Sequence, residues 1–89
     1  MKNHRKNIEE ILIKLLIKNI NQKIKISEIK KNKRLYSDGF LDSYSLICLI
    51  IDLEKAFSIH FQKIKFLKSD FDSLLNLSNL IIKNAKNKN

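Results

Sequence analysis

Three stretches of the chain carry apolar residues at the spacing of one helix face. Residues 7–20 place a predicted inward stripe at Ile8, Ile11, Leu12, Leu15 and Ile20. Residues 73–84 place a second inward stripe at Leu74, Leu77, Leu80 and Ile81. Intervals of three and four residues bring such side chains to one side of a helix. Asn7, with Glu10 three residues later, and Ser73 are the predicted caps of these two helices.

The third stretch, residues 43–57, has two apolar faces. Placed at 100° per residue from Ser43, one arc of roughly 240° to 340° holds a core face of Leu46, Leu49, Ile50, Leu53 and Phe57. The opposite arc, roughly 40° to 140°, holds Tyr44, Ile47, Cys48 and Ile51. A surface helix normally carries polar residues there, so this outer stripe needs an explanation. Asp42 or Ser43 is the predicted cap.

The remaining segments are predicted to be connections with isolated apolar anchors. Residues 21–41 form a loop across the bundle with one helical turn near Glu28, and its anchors are Ile24, Ile26, Ile29, Leu35 and Phe40. Gly39 is expected in a turn conformation that other residues resist. After residue 57, Ile59 and Phe61 are predicted to plug the core, and residues 69–71 to form a short helical turn.

Composition supports an all-α fold, and the apolar stripes predict a small four-helix bundle with three main helices and one short helix. One Gly and no Pro leave few obligatory turns, and Val, which is frequent in strands, is absent. We expect residues 1–89 to be a single domain with a frayed tail from about residue 85. The lone Cys48 and the lack of a metal-ligand cluster indicate a reducing compartment, and no apolar run is long enough to cross a bilayer. The predicted location is therefore the cytoplasm.

The net charge of +9 is unevenly distributed. Residues 35–62 hold four acidic residues and one lysine, a net −3, whereas the other residues hold 17 basic and 5 acidic groups, a net +12. A basic chain first suggests nucleic acid or a membrane surface. The best-formed predicted helix lies in the acidic part, however, so a small basic helical nucleic-acid-binding protein is the alternative rather than the preferred interpretation. The basic run from Lys30 to Arg34 has no assigned role.

The order of these segments resembles the acyl carrier proteins and peptidyl carrier domains, which are four-helix carriers of a 4'-phosphopantetheine arm. "DGFLDSYSLICLIIDLEKAFSIHF" is similar to the family pattern "LDS…L…LI..LE..F.I.F", and "DFDSLLNLSNLI" to its closing segment. The resemblance covers nearly the whole chain. It implies that Ser43 is the attachment serine, with Asp42 as the acidic residue before it.

The resemblance also implies the partners. A phosphopantetheinyl transferase would transfer the arm from coenzyme A with Mg²⁺, and Asp42 would help to hold that assembly. Acyl- or aminoacyl-loading and acyl-transfer enzymes would then exchange cargo held as a thioester. The chain itself would not be an enzyme, because no paired acid and base or nucleophile and base can be found in it. It would act as a monomer without binding nucleic acid.

The outer stripe of residues 43–57 is the predicted partner-binding surface. Its apolar members are Tyr44, Ile47, Cys48 and Ile51, and its charged neighbours are Asp52, Glu54 and Lys55. The stripe could instead pack under the long loop or form the seam of a homodimer. Family members usually carry Leu or Met where Tyr44 stands and often Glu at positions matching Cys48 and Lys55. These departures favour a dedicated pathway, and they leave the cargo undetermined.

Overall fold

The computed structural model describes residues 4–20 and 22–85, without the side chains of His4 and Ala85. These residues form four α-helices: α1 (His4–Asn19), α2 (Ile26–Lys31), α3 (Ser43–Phe57) and α4 (Leu74–Ala85). Two short 3₁₀ turns, Phe61–Lys63 and Lys68–Phe71, join α3 to α4. No strand occurs in residues 4–20 or 22–85, which confirms the predicted all-helical bundle. The predicted frayed tail lies outside the described residues, except for Ala85.

Helix α1 is the central element, because it packs against both α3 and α4 and also contacts α2. The predicted cap Asn7 was wrong, since α1 already includes His4. Ile11 was also placed inward wrongly: 39% of it is exposed, whereas Ile13 and Leu16 are buried. Helices α2, α3 and α4 all pack against α1, so they bury a wider part of its surface than the single predicted stripe. Ile11 lies outside this buried part.

The connection between α1 and α3 is held by apolar side chains and contains more helix than predicted. Ile29 of α2 and Leu35 are fully buried, and Ile24 and Phe40 pack against the core in part. Ile26 was wrongly predicted to be an anchor, because half of it is exposed. The single turn expected near Glu28 is the six-residue α2.

The segment after α3 closes the core as predicted. Ile59 and Phe61 are buried, and the rings of Phe61, Phe66 and Phe71 lie within 5.3–6.2 Å of each other between centroids. Helix α4 begins after Ser73, whose hydroxyl accepts a hydrogen bond from the Asn76 N–H at 3.0 Å. All four predicted inward residues of α4 are buried. Arg5 joins α1 to α4 by donating hydrogen bonds to Ser78 and Asn79.

Candidate functional site

Ser43 is the first residue of α3, and it is exposed. The residue before it, Asp42, is the N-cap: its carboxylate accepts the Ser45 N–H at 2.8 Å, and its carbonyl accepts the Leu46 N–H at 2.8 Å. This settles the open choice between Asp42 and Ser43 as cap. The hydrogen bond from Ser45 lowers the pKa of Asp42, so the carboxylate is ionised at neutral pH beside the serine.

Two serines at the start of α3 have opposite environments. Ser45 is 3% exposed and faces the core, whereas Ser43 faces solvent. The difference follows from helix geometry, because residues two apart point about 200° away from each other. Only Ser43 can meet a large reagent from solution without unfolding of the helix.

The turn that leads into Ser43 is fixed at both ends by buried leucines. Leu35 and Leu41 are each 1% exposed, and the Leu35 carbonyl accepts the N–H groups of Phe40 and Leu41 at 3.0 and 3.2 Å. Between them Gly39 has φ +89, a conformation that side chains resist, although a Cβ there would contact nothing. The predicted role of Gly39 is confirmed, and its cause is the backbone conformation rather than lack of space.

Asp72, at the end of the second 3₁₀ turn, anchors the same segment from a distant part of the chain. Its carboxylate accepts the N–H of Tyr36 at 2.9 Å, and the N–H and hydroxyl of Ser37 at 2.7 and 2.8 Å. Its own carbonyl accepts the Leu35 N–H at 2.8 Å. Lys68 adds a contact, with its ammonium 5.9 Å from the centre of the Tyr36 ring. The path of the chain before Ser43 therefore depends on a residue 29 positions later.

The outer stripe of α3 is open to solvent. Tyr44, Ile47 and Ile51 are 74%, 58% and 45% exposed, and Cys48 is half-buried. The neighbouring Cys48 side chain raises the pKa of the Tyr44 hydroxyl, which favours its neutral form. The stripe does not pack under the long loop, which was one of the open alternatives.

Asp52, predicted to be an acidic edge of the stripe, is held by α1. Its carboxylate lies 3.1 Å from the Lys18 ammonium and accepts a hydrogen bond from the Asn19 amide at 3.0 Å. The pKa of Asp52 is lowered mainly by the hydrogen bond from Asn19, and further by the charges of Lys18 and the exposed Lys55. Only 17% of the Asp52 side chain is exposed, and two cations offset its charge. A partner would meet little free negative charge there.

Glu54, the other predicted acidic edge, also has an internal role. Its carboxylate accepts the N–H of Phe61 at 3.0 Å, which ties the end of α3 to the first 3₁₀ turn. The side chain is half-buried rather than fully exposed. Both acidic neighbours of the stripe thus stabilise the fold, whatever they offer to a partner.

Sequence reasoning missed Asp72, Asn19 and the buried Ser45. Asp72 precedes the cap of α4, and such an acidic residue looks like an ordinary solvated neighbour of a helix start. Its partners lie 35 and 36 residues away, so no local pattern reveals them. Ser45 lies at roughly 200° from Ser43, just outside the predicted core arc, so the helical spacing marks it only as a border position.

Comparisons with known proteins add no family assignment. No family model matches the chain, and no match was found among curated proteins or solved structures. No helix within the described residues is long and apolar enough to cross a membrane. Those residues also contain no group of three or more side chains suited to hold a metal ion.

Proposed function

We propose that this protein is an acyl carrier protein that holds acyl or aminoacyl groups on a 4'-phosphopantetheine arm attached to Ser43. The observation that carries the proposal is the start of α3, where the exposed Ser43 follows the capping Asp42 and borders an exposed apolar stripe. It agrees with the resemblance to carrier proteins in the motif around these residues. The arm supplies a terminal thiol that carries the cargo as a thioester.

The residues present fit such an arm. A carrier needs a hydroxyl that is accessible, fixed in position and unable to react without help. Ser43 is accessible, and the capped first turn with the leucine-anchored loop fixes it. The N-terminus of α3 favours the negative charge of a phosphodiester on this oxygen. The partner transferase must supply the base that removes the Ser43 proton, because no His or Lys adjoins the serine in sequence.

The outer stripe supports the proposal as a docking surface next to the attachment point. Tyr44, Ile47 and Ile51 form an apolar patch along the N-terminal part of α3, on the side of the helix that the core does not use. A carrier must bind several enzymes briefly, and a small patch gives weak, reversible contacts. A cognate enzyme would offer an apolar groove for these three side chains.

Intact-mass measurement after incubation with coenzyme A, Mg²⁺ and a broad-specificity transferase tests the proposal. The parent protein should gain the mass of one arm, and Ser43→Ala should gain none. Ser45→Ala is the matched control, because it removes a hydroxyl two residues away and should still be loaded. An unchanged parent mass with several transferases, or a loaded Ser43→Ala variant, would contradict the proposal.

Asp42→Asn separates two roles of the residue before the serine. Asparagine caps helices about as well as aspartate, so the fold and thermal midpoint should be retained. The charge that would help to hold Mg²⁺-bound coenzyme A is lost, so loading should slow. Loading at the parental rate would show that Asp42 acts only as a cap.

The alternative function is nucleic-acid binding by the basic part of the chain. Residues 22–34 contain six basic residues and one acidic residue, but α2 has only six residues and offers a short surface for a groove. Titration with duplex DNA at two salt concentrations discriminates the functions. Tight, salt-dependent binding together with failure to load Ser43 would replace the carrier proposal.

A further inference from the structure

A second apolar surface lies between α1 and α2. A groove of about 310 Å³ runs there, with an apolar floor of Ile13, Ile17 and Ile26. Ile17 and Ile26 are 43% and 50% exposed, while Ile13 is 9% exposed at the bottom. Ile17 and Ile26 are neighbours and each exposes about half of its apolar surface to water. Burying that surface under a partner would be favourable.

The walls of this groove carry positive charge. Lys14 and Lys30 line it from α1 and α2, against one carboxylate from Glu10. The ion pairs among the described residues are Lys18–Asp52 and Arg34–Asp38, so neither wall lysine is in one. The segment around α2 adds to the positive potential, because residues 22–34 sum to +4 without Lys30. Positive potential beside an apolar floor favours an acidic, amphipathic partner.

The groove is separate from the outer stripe of α3. On α1, Ile13 and Ile17 face α2, whereas Asn19 bonds to Asp52 of α3. Around the helix axis, Asn19 lies roughly 120° from Ile13 and roughly 160° from Ile17. A partner in the groove would therefore leave Ser43 and the outer stripe accessible.

We propose that the α1–α2 groove is a docking site for an amphipathic helix of a partner protein, with apolar side chains along one stripe and carboxylates on both sides of it. The apolar stripe would cover Ile17 and Ile26, and the carboxylates would meet Lys14 and Lys30. Helices commonly bind in grooves of this kind through anchors at positions i, i+3 or i+4, and i+7.

The shape of the groove favours a protein helix over the other anionic partners. A bilayer surface is broad and cannot follow a recess whose floor, Ile13, is nearly buried. Duplex DNA offers phosphates to the lysines but nothing apolar for the isoleucines. A helix satisfies both features at once, because it presents an apolar ridge between rows of charge.

NMR titration of the full chain with a designed peptide tests this proposal. The probe is a helical peptide with leucines at i, i+4 and i+7 flanked by glutamates. The control peptide has the same leucines, with lysines in place of the glutamates. The acidic peptide should shift amide signals of α1 and α2, and the lysine peptide should not. Lys14→Glu/Lys30→Glu should weaken binding by about tenfold or more, because two attractions become repulsions. Ile17→Ser/Ile26→Ser should weaken it similarly.

Lys65→Glu/Lys83→Glu is the matched control, because these lysines flank a different pocket beside α4 and the change in net charge is the same. The affinity of this control variant for the acidic peptide should stay within about threefold of that of the parent protein. An equal loss in the control would show that only net charge matters and would overturn the proposal. Binding to phosphatidylglycerol vesicles or duplex DNA without binding to the acidic peptide would also overturn it. Loading of Ser43 is measured on the same variants, so failure of this site and failure of the carrier function are distinguishable.

Discussion

The inner and outer faces of α3 carry similar apolar side chains but differ in how deeply those side chains are buried. Leu49 and Leu53 on the inner face are fully buried, whereas Ile47 and Ile51 on the outer face are about half exposed. The inner face meets α1, and none of the described elements covers the outer face. Hydrophobicity alone therefore does not decide burial in this helix; the position of the neighbouring helices does. The uncovered face borders Ser43, which is the arrangement that a docking surface requires.

Alanine substitution on each face gives the largest expected contrast. Leu53→Ala should lower the free energy of unfolding by about 2 to 5 kcal/mol, because it leaves a cavity in the core. Ile51→Ala should change it by about 0.5 kcal/mol or less, as is usual for surface positions. Urea denaturation followed by circular dichroism measures both. Equal losses at the two sites would mean that the outer face is buried in solution, for example in a dimer.

The turn that precedes α3 is held by Asp72, which forms hydrogen bonds to neither face of the helix. Asp72→Ala should lower the free energy of unfolding by about 1 to 3 kcal/mol, because the partly buried N–H groups of Tyr36 and Ser37 lose a charged acceptor. Asp72→Asn keeps one acceptor oxygen and should cost less. Denaturant unfolding of both variants provides the comparison. An alanine variant as stable as the parent would show that the turn before Ser43 does not need this anchor.

The outer face should determine which enzymes accept the protein, if the carrier proposal holds. Housekeeping partners in the family that this chain resembles are generally basic, and here Cys48 and Lys55 stand where acidic residues are frequent. Cys48→Glu/Lys55→Glu should raise loading by housekeeping acyl-transfer enzymes about tenfold, since each exposed charge pair contributes roughly 0.2 to 1 kcal/mol. Initial rates of malonyl transfer measure this effect. Efficient loading of the parent would argue against a dedicated pathway.

The smallest expected effect, measured by acid titration, is the pH dependence of the stability that Asp52 contributes. It tests whether Asp52 is held by α1 or behaves as an exposed residue of the outer face. The folded state lowers the pKa of Asp52, so the carboxylate adds stability above its unfolded pKa of about 3.9. This stability is lost as the pH falls through the lower folded pKa. Asp52→Asn should therefore lower the thermal midpoint by about 1 to 5 °C at pH 6 and by less near pH 2.

Asp38→Asn is the control for this titration, because it removes the same charge from an exposed pair with Arg34. A smaller drop in the thermal midpoint is expected, since both partners are largely in solvent. An equal drop in the two variants would mean that Asp52 behaves as an exposed residue of the outer face. The bond to Asn19 would then contribute nothing measurable.

Elements with local signals were predictable from the sequence. The bounds of α3, the Ser73 cap and the turn at Gly39 follow from apolar spacing, capping side chains and the one glycine. The position of Ser43 at a helix start follows from the same local rules. These features depend on residues within one or two helical turns of each other, so the information lies in a short stretch of chain.

Contacts between distant segments were decided only by the tertiary structure. Ile11 and Ile13 are the same residue type two positions apart, and only the placement of α2, α3 and α4 around α1 determines which of them is buried. Asp72 and Asp52 look like ordinary surface carboxylates in the sequence, yet each binds a segment more than 30 residues away. Helical periodicity fixes which residues share a face, whereas burial and pairing depend on what the folded chain brings to that face.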